Sequence, residues 1–466
     1  MPDTNIDGQP GAVSRNPATG EVIERFPYQD PAAVERILAD AQAAFVTWRE
    51  MPVSQRAEVY LRLAETLRAR ADEIAAMVTR EMGKVAGEAR AEVEKCAATA
   101  EWYSRNGPAL LADEPVAVEG GDEVHVAYRP TGIILGIMPW NFPLWQAIRA
   151  AVPIMLSGNG FILKHAPNVM GCAYLLRDAW EDSGLPHGLF GVLNVETDGI
   201  KAVIEDRRIA GVTLTGSMRA GAAVAAQAGK VLKKSVLELG GIDPFIVLAD
   251  ADIDKAVAAG IKGRFSNAGQ VCLAAKRFIL EAPIAEIFTA KFLEAARKMK
   301  AGDPTDPDTT IGPIARDDLR QGVHDQVVRS LAAGATLLLG GHVMEGAGFF
   351  YEPTILGNVQ PGMAAFDEEV FGPVAAITIA RDAEHAVELA NTSDYGLSSN
   401  LWTADAKRAE LIARRLEAGG VFINGLTASN PRTPVGGVKK SGYGRELSHF
   451  GIREFVNAQT VWTVAT

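Results

Sequence analysis

The run Ile133-Ile134-Leu135-Gly136-Ile137-Met138 decides the fold, because it begins a series in which short apolar strands alternate with helical segments. Runs of the same kind follow at residues 161–164, 191–194, 212–215 and 236–239. Strand, helix and strand at this spacing predict a parallel, doubly wound sheet.

A second series of strands and helices follows Gly241. Its strands are expected at residues 277–280, 336–339, 375–379, 398–402 and 421–424, which predicts a second α/β domain. Before the first sheet, residues 31–106 have helical periodicity, and three helices are expected there. Residues 455–464 resemble a strand that pairs with residues 123–129 as an arm that reaches another subunit.

Composition narrows the class of protein. The chain has 466 residues, 48% of them hydrophobic and 22% charged, which is typical of a multidomain globular enzyme. A net charge of -11 argues against a nucleic-acid partner. Only three cysteines occur, and residues 1–10 lack both a basic start and an apolar run, so no secretory signal is expected. No clean membrane span is visible, and a cytoplasmic location is expected.

Cys272 and Glu238 are the first candidate catalytic pair. Cys272 ends the run Asn-Ala-Gly-Gln-Val-Cys, and Glu238 begins the turn Glu-Leu-Gly-Gly thirty-four residues earlier. A thiolate adds to a carbonyl carbon, and a carboxylate then activates water to release the acyl group. The alternative for any single cysteine is an inert core residue.

Four further motifs predict ligand contacts, each with a structural alternative. Residues 212–217 and the following helix offer Gly216 and Ser217 to a pyrophosphate, although the glycine spacing is not the usual dinucleotide fingerprint and a tight turn explains it equally well. Lys164 ends a strand, where it either holds ribose hydroxyls or is simply solvated. Asn141, between two prolines, either donates to an oxyanion or closes its own turn.

The fourth motif is Glu369-Val370-Phe371, which places a carboxylate and a ring two residues apart. Glu369 is a candidate for ribose hydroxyls and Phe371 for the nicotinamide, and the alternative is a solvated acidic run before a buried aromatic. The seven histidines show no metal-ligand spacing, so no metal site is expected. No G-x-S-x-G elbow of a hydrolase is present.

Taken together and in order, these motifs resemble the aldehyde dehydrogenase superfamily over essentially the whole chain. Residues 163–170, 272–278, 422–425 and 435–447 further resemble the bacterial succinate-semialdehyde dehydrogenases that accept NAD or NADP. The resemblance implies two doubly wound α/β domains and a small β oligomerisation arm. The implied parts are a Rossmann-like cofactor domain (1–119 and 132–240), a catalytic domain (241–434), and the arm with the C-terminal strand (120–131 and 435–466).

The resemblance also assigns roles. Cys272 is the implied nucleophile, Glu238 the general base, and the Asn141 side chain with the Cys272 backbone N–H the oxyanion hole. The implied cofactor contacts are Trp140, Asn141, Lys164, His165, Ala166, Pro167, Gly216, Ser217, Leu239, Glu369 and Phe371. Pro167 stands where NAD-selective relatives often carry a Glu that would repel a 2′-phosphate, so either NAD or NADP is expected.

The implied substrate is a small semialdehyde, whose carboxylate an arginine would recognise best. Arg149 is the first candidate, with Trp145 lining the wall, and Arg432 with Ser429 is the second. Each arginine has the alternative role of a structural ion pair. A homodimer or homotetramer is expected. A general dehydrogenase for other short aldehydes and a non-catalytic structural member of the fold remain as alternatives.

Overall fold

The fold is that of a computed structural model that describes residues 5–6 and 9–465. The expectation about a secretory signal in residues 1–10 therefore falls mostly outside the described residues. In chain order, the amino-terminal part contains β1 (Asn5–Ile6), β2 (Gln9–Arg15), β3 (Val22–Pro27), α1 (Pro31–Trp48), α2 (Val53–Ala69), α3 (Ala71–Met82), α4 (Ala86–Leu110), β4 (Glu114–Val116) and β5 (Glu123–Pro130).

The expectation of three helices in this part is wrong, because the structure has four. Helices α2 and α3 are separated only by Arg70, whose φ of -100° and ψ of 15° interrupt the helix without a Gly or Pro. Helix α3 then ends at Gly83, which adopts the left-handed conformation (φ 78°) that glycine tolerates without strain. The break at Arg70 is only one residue long, so it cannot be recognised from the hydrophobic periodicity.

The first large sheet is built from the strands that the apolar runs predict. Its elements and their connections are β6 (Ile133–Met138), α5 (Trp145–Leu156), β7 (Gly160–His165), α6 (Met170–Asp182), β8 (Phe190–Leu193), α7 (Ile200–Glu205), β9 (Ile209–Thr215), α8 (Met218–Lys230) and β10 (Lys234–Glu238).

The second large sheet and the carboxyl terminus follow. Their elements are β11 (Pro244–Val247), α9 (Ile253–Phe265), β12 (Arg277–Glu281), α10 (Ala282–Ala296), α11 (Asp317–Ala332), β13 (Thr336–Leu339), β14 (Thr354–Gly357), α12 (Ala364–Asp367), β15 (Val374–Ala380), α13 (Ala383–Asn391), β16 (Tyr395–Gly396), β17 (Ser398–Trp402), α14 (Ala406–Ala413), β18 (Gly420–Ile423), β19 (Val438–Lys439), β20 (Gly442–Tyr443), α15 (Ser448–Arg453) and β21 (Val456–Thr463).

The two sheets confirm the predicted α/β class. The first has six strands in the order β20-β10-β9-β6-β7-β8, and only the short β20 runs antiparallel to its neighbour. The second has seven strands in the order β13-β14-β15-β12-β11-β17-β18. Strands β11 and β14 were not among the predicted ones. Alternate residues of β11 enter different cores, with Phe245 on one face of this sheet and Ile246 on the other, as the two-residue period of a buried strand requires.

A third sheet forms the arm. Strand β21 pairs with β5 antiparallel over eight residue pairs, from Val456 with Pro130 to Thr463 with Glu123, which confirms the predicted pairing. The short strand β4 adds a third member that lies outside the segments assigned to the arm. No helix in the described part of the chain is long and apolar enough to cross a membrane.

Candidate active site

The site lies where the strand order of the first sheet reverses. Strands β6 and β9 are neighbours, with β7 and β8 on one side and β10 on the other. In open parallel sheets such a switch point leaves a crevice at the carboxyl ends of the strands, where nucleotides bind. The turn with Asn141 follows β6, and Gly216 and Ser217 follow β9.

The turn after β9 places the first turn of helix α8 beside a glycine, and the Gly216 N–H itself donates to the Glu238 carbonyl at 3.0 Å. Ser217 caps helix α8 by accepting a hydrogen bond from the Ala220 N–H at 3.3 Å. Gly216 keeps its side open, since a Cβ there would meet only Leu214 at 3.6 Å. Beneath the helix, Leu239 packs against Gly221. A helix N-terminus beside open backbone fits a pyrophosphate.

Lys164 and His165 end strand β7 but differ in their surroundings. Lys164 is half-buried, and burial lowers its pKa. The His165 side chain is buried, with Nε2 2.8 Å from the Pro143 carbonyl, and Nδ1 accepts from the Ala166 N–H at 2.9 Å. Burial lowers the pKa of His165 to about 4, so the ring is neutral and donates through Nε2.

The side chain of His165 is thus engaged by the protein itself, and the contact of this residue with a cofactor stays a prediction. Both ring nitrogens bind the protein's own main chain, and the ring fastens the turn that carries Asn141. Ala166 and Pro167, by contrast, are at least partly exposed at the strand end. With the glycine turn and Lys164, they fit a dinucleotide along this edge of the sheet.

Trp140, Phe371 and Glu369 come together from distant parts of the chain. The rings of Trp140 and Phe371 meet edge to face, with centroids 5.8 Å apart. Glu369 Oε1 accepts a hydrogen bond from the Gly241 N–H at 3.1 Å and lies 3.4 Å from the Lys276 ammonium. Glu369 is thus held against the Glu-Leu-Gly-Gly turn, where a side chain at Gly240 would collide with it.

Glu238 is the last residue of β10, and its carboxylate is buried. Its Oε1 atom has no hydrogen-bond partner among the described residues. Desolvation raises the pKa of Glu238 to about 8, and the nearby positive charge of Arg149 opposes the rise. A protonated acid with a free oxygen becomes a base near neutral pH, as water activation requires.

A strained loop presents Cys272. Asn267 and Ala268 have positive φ angles of 54° and 53°, and Gly269 follows with 72°. The buried guanidinium of Arg264 donates to the carbonyls of Gly269 and Gly372. Strain of this kind persists only where surrounding contacts hold the backbone, and it is concentrated at functional sites.

The Cys272 thiol is protonated at rest. Desolvation raises its pKa to about 11, while the charges of Arg149 and Lys276 oppose this and those of Glu369 and Glu238 add to it. Lys276 also donates to the Cys272 carbonyl at 2.6 Å. The turn that follows Glu238 lies against this loop, since a Cβ at Gly241 would be 3.3 Å from the Cys272 carbonyl oxygen.

Asn141 is aimed at the same loop. Its side-chain Nδ2 donates to the backbone carbonyl of Gln270 at 2.9 Å, and its backbone carbonyl accepts from Asn267 Nδ2 at 2.9 Å. An amide nitrogen carries two N–H groups. One therefore positions the side chain two residues before Cys272, and the other is available to an oxyanion.

Comparison with known proteins agrees with this geometry. The model of the aldehyde dehydrogenase family matches residues 7–461. The chain belongs to the aldehyde dehydrogenase family.

Similar proteins carry more specific names. The chain is 58% identical over 97% of both chains to the NAD(P)+ succinate semialdehyde dehydrogenase Sad of Escherichia coli (strain K12). It is 47% identical to the NADP(+) succinate-semialdehyde dehydrogenase 1 of Mycobacterium tuberculosis (strain H37Rv), over 96% of this chain and 98% of that one. The crystal structure of succinic semialdehyde dehydrogenase from Streptococcus pyogenes in complex with NADP+ is 35% identical, with a TM-score of 0.95 over 97% of this chain and 100% of that one.

The expected substrate residues of this dehydrogenase are only partly brought together. Arg149 is buried beside Cys272 and Glu238, but its guanidinium forms an ion pair with Glu446 and donates to Thr215 Oγ1 at 3.2 Å. The structural alternative for Arg149 is thus realised at least in part, and its contact with substrate stays a prediction. Arg432 is exposed, 6.0 Å from the Trp102 ring, and its contact with substrate also stays a prediction.

Trp145 and Ser429 do lie together, and the residue that joins them was not predicted. Lys95 of α4 donates to Ser429 Oγ at 2.8 Å and lies 4.1 Å from the centre of the Trp145 ring. Trp145 begins α5, and Arg149 lies one turn further along that helix.

Sequence reasoning also missed the buried charges that support the catalytic loops of the dehydrogenase. Glu88 accepts from the Asn267 N–H at 2.9 Å, and Glu92 accepts from the N–H groups of Leu144 and Trp145, both at 2.9 Å. Glu92 is also paired with Lys84. One signal in the sequence could have revealed these charges. Glu88 and Glu92 are four residues apart, and they lie on the face of α4 whose other residues are mainly buried Ala, Val and Cys.

Proposed function

We propose that this dehydrogenase oxidises succinate semialdehyde to succinate with NAD or NADP. The observation that carries the proposal is the meeting of Cys272, Glu238 and Asn141 at one site, in a chain most of which matches enzymes named for this reaction. The roles below are assigned to this chain's own side chains on the basis of that geometry.

The first step forms the thiolate. The Cys272 thiol loses its proton to solvent and not to Glu238, whose carboxyl is itself protonated at rest. Because burial holds the pKa of both groups high, both are neutral before substrate enters, and the positive charges of Arg149 and Lys276 favour the thiolate when it forms.

The thiolate then attacks the aldehyde carbon and converts the carbonyl oxygen to an oxyanion. The second N–H of Asn141 Nδ2 and the backbone N–H of Cys272 donate to that oxygen. Because these donors are fixed by the loop before the reaction starts, they stabilise the charge without reorganising.

A nicotinamide cofactor would be held by Lys164, Glu369 and Phe371 and would supply the hydride acceptor, so that the carbon bound to Cys272 loses two electrons and is left as a thioester. Glu238 in its ionised form removes a proton from water, the resulting hydroxide attacks the thioester, and the sulfur leaves as a thiolate. The free acid is the product. A base at this position favours hydrolysis over transfer of the acyl group to coenzyme A.

Both cofactors are expected because Pro167 offers the 2′ position of the ribose neither a repelling carboxylate nor a cation. Pro167 is exposed and opens a short 3-10 helix after β7. The open turn at Gly216 and the half-buried Lys164 support a dinucleotide in either form.

Assembly into a homodimer or homotetramer is part of the proposal. The arm exposes large apolar side chains, with Trp462 54% exposed and Val116 42% exposed. Apolar groups on a sheet that lies apart from the two main cores favour burial against a second copy. The described cysteines are all unpaired, which supports a reducing compartment such as the cytoplasm.

The test compares kcat/KM for succinate semialdehyde and for hexanal, each with NAD and with NADP. We expect succinate semialdehyde to be preferred and the free acid to be the product. Equal or better use of hexanal would contradict the proposed substrate, and faster formation of an acyl-CoA than of free acid would contradict the role of Glu238.

A further inference from the structure

One face of helix α4 runs along the active site. Glu88, Glu92 and Lys95 are spaced by four and then three residues, which places them on the same side of the helix. Glu88 binds the backbone of Asn267 in the loop before Cys272, and Glu92 binds the backbone of Trp145 after Asn141. Lys95 is the next residue on this face, and it therefore faces the same site.

Lys95 differs from the other buried cations nearby in what it contacts. Lys84 is paired with Glu92, and Arg149 is paired with Glu446. The ammonium group of Lys95 contacts two neutral groups, the hydroxyl of Ser429 and the ring of Trp145. Within residues 9–465, no carboxylate lies within ion-pair distance of its ammonium group. A half-buried cation without a counter-ion is costly unless a ligand supplies the negative charge.

We propose that Lys95 is a specificity-determining residue that binds the distal carboxylate of the substrate, with Ser429 as a second hydrogen-bond donor. The inference rests on the proposed function and names the group that makes a semialdehyde acid preferable to an uncharged aldehyde. The aldehyde end lies at Cys272 and Asn141, and Trp145, four residues after Asn141, forms the wall between the two ends.

The surrounding charges support an anion at this position. Burial is the main cause that lowers the pKa of Lys95 to about 8; the charges of Arg149 and Lys84 act in the same direction, and Cys96 and Glu92 of the same helix oppose them. A bound carboxylate would stabilise the ammonium form and raise this pKa. Anion binding and protonation of Lys95 are therefore linked.

The test is Lys95→Met, measured with succinate semialdehyde and with butanal, which has the same carbon chain without the carboxylate. We expect kcat/KM for succinate semialdehyde to fall about 10- to 100-fold, mainly through KM, because one charged hydrogen-bonded contact is lost. The values for butanal should stay within about twofold, since the catalytic groups are untouched. Lys95→Arg should restore most of the preference for the acid.

Two controls separate this role from a structural one. Arg90→Met removes one positive charge from an exposed position on the same helix. It should leave kcat/KM unchanged for both substrates. In the wild type, the ratio of kcat/KM for the two substrates should fall above about pH 8, where Lys95 loses its proton. The ratio cancels the effect of pH on Glu238, and it should be flat in Lys95→Met. Should that variant fail to fold, Lys95→Gln, which keeps a donor for Ser429, serves the same comparison.

An unchanged KM for succinate semialdehyde in Lys95→Met would overturn the inference, and so would an equal loss with butanal. In both cases the proposed function stands, provided that the wild type prefers the semialdehyde acid. A wild type without that preference would overturn the proposed function itself and the inference with it.

Discussion

Two buried carboxylates of this dehydrogenase have equal exposure and opposite surroundings. Glu92 and Glu238 are each 3% exposed. Glu92 accepts two backbone hydrogen bonds through Oε1 and pairs with Lys84 through Oε2. Glu238 has no partner for Oε1 in the described part of the chain, and its pKa is raised to about 8.

The difference shows that burial alone does not mark a catalytic acid. A satisfied buried carboxylate holds other groups in place, here the turn that presents Asn141. An unsatisfied one keeps an oxygen ready for a proton and tends to destabilise the fold when it ionises. We expect substitution of the first to cost mainly stability, and substitution of the second mainly turnover.

The largest expected effect is on turnover in Glu238→Gln. The amide keeps the size of the side chain but cannot accept a proton, so steady-state kcat should fall about 10²- to 10⁴-fold. The first turnover should survive, giving a burst of about one NAD(P)H per active site by stopped flow, and a thioester on Cys272 by mass spectrometry. Its free energy of unfolding at pH 7 should not fall. Retained turnover would remove Glu238 from the deacylation step.

The converse effect is expected in Glu92→Gln. Loss of the charge leaves Lys84 buried without its ion-pair partner, which should lower the free energy of unfolding by about 3–5 kcal/mol. Chemical denaturation followed by fluorescence measures this. Glu94→Gln is the matched control, because Glu94 lies on the exposed face of the same helix, and its effect should be within about 0.5 kcal/mol. Similar stability of the two variants would contradict the structural role of Glu92.

Local sequence patterns predict strands and helices but not the distant partners of buried charges. Strand β6 was predicted to the residue, because five apolar residues and one glycine lie between Gly132 and Pro139. Strand β11 was missed because it has only four residues, begins with Pro244 and comes soon after a glycine turn, so it offers no apolar run of comparable length. The helical periodicity of α4 was visible, but the partners of Glu88 and Glu92 lie 179 and 52 residues away in the chain, where no local pattern reaches.

In the candidate site, too, the sequence predicted the motif residues but not the contacts that hold them. Asn141 follows β6 and Glu238 ends β10 in the first sheet, whereas Cys272 lies in the loop between α9 and β12 of the second sheet, and the hydrogen bond from Asn141 to the Gln270 carbonyl joins that loop to the first sheet. The partner of Arg149 was not foreseeable, since Glu446 lies in the carboxyl-terminal segment and binds it across the sheet. His165 was expected to contact a cofactor from its place beside Lys164, yet strand alternation turns its side chain inward.

Asn141 connects the two carboxylates, because its turn is fastened by Glu92 and its side chain is aimed at the site of Glu238. Asn141→Ala should lower kcat about 10²- to 10³-fold, as removal of one oxyanion donor does. Unlike Glu238→Gln, it should slow the burst itself, since the oxyanion precedes hydride loss. Stopped-flow measurement of NAD(P)H distinguishes the two. An unchanged burst rate would mean that the second N–H of Asn141 does not contact the reacting oxygen.

The smallest expected effect is a pH dependence of Glu238. With a pKa of about 8, the ionised form of Glu238 should increase about tenfold between pH 7 and pH 9, and the rate of deacylation after the burst should rise with it.

The free energy of unfolding should change with pH in the opposite direction. The folded-state pKa is raised above the ordinary value of 4.5, so the stability that Glu238 contributes is fully present below about pH 4.5 and is lost progressively up to about pH 8. Glu238→Gln should lack this loss, so its stability relative to the wild type should increase from pH 5 to pH 8 and then remain constant. If the difference in free energy of unfolding between Glu238→Gln and the wild type is constant over the whole pH range, then Glu238 ionises at its ordinary pKa. Its contrast with Glu92 would then not be a difference in protonation.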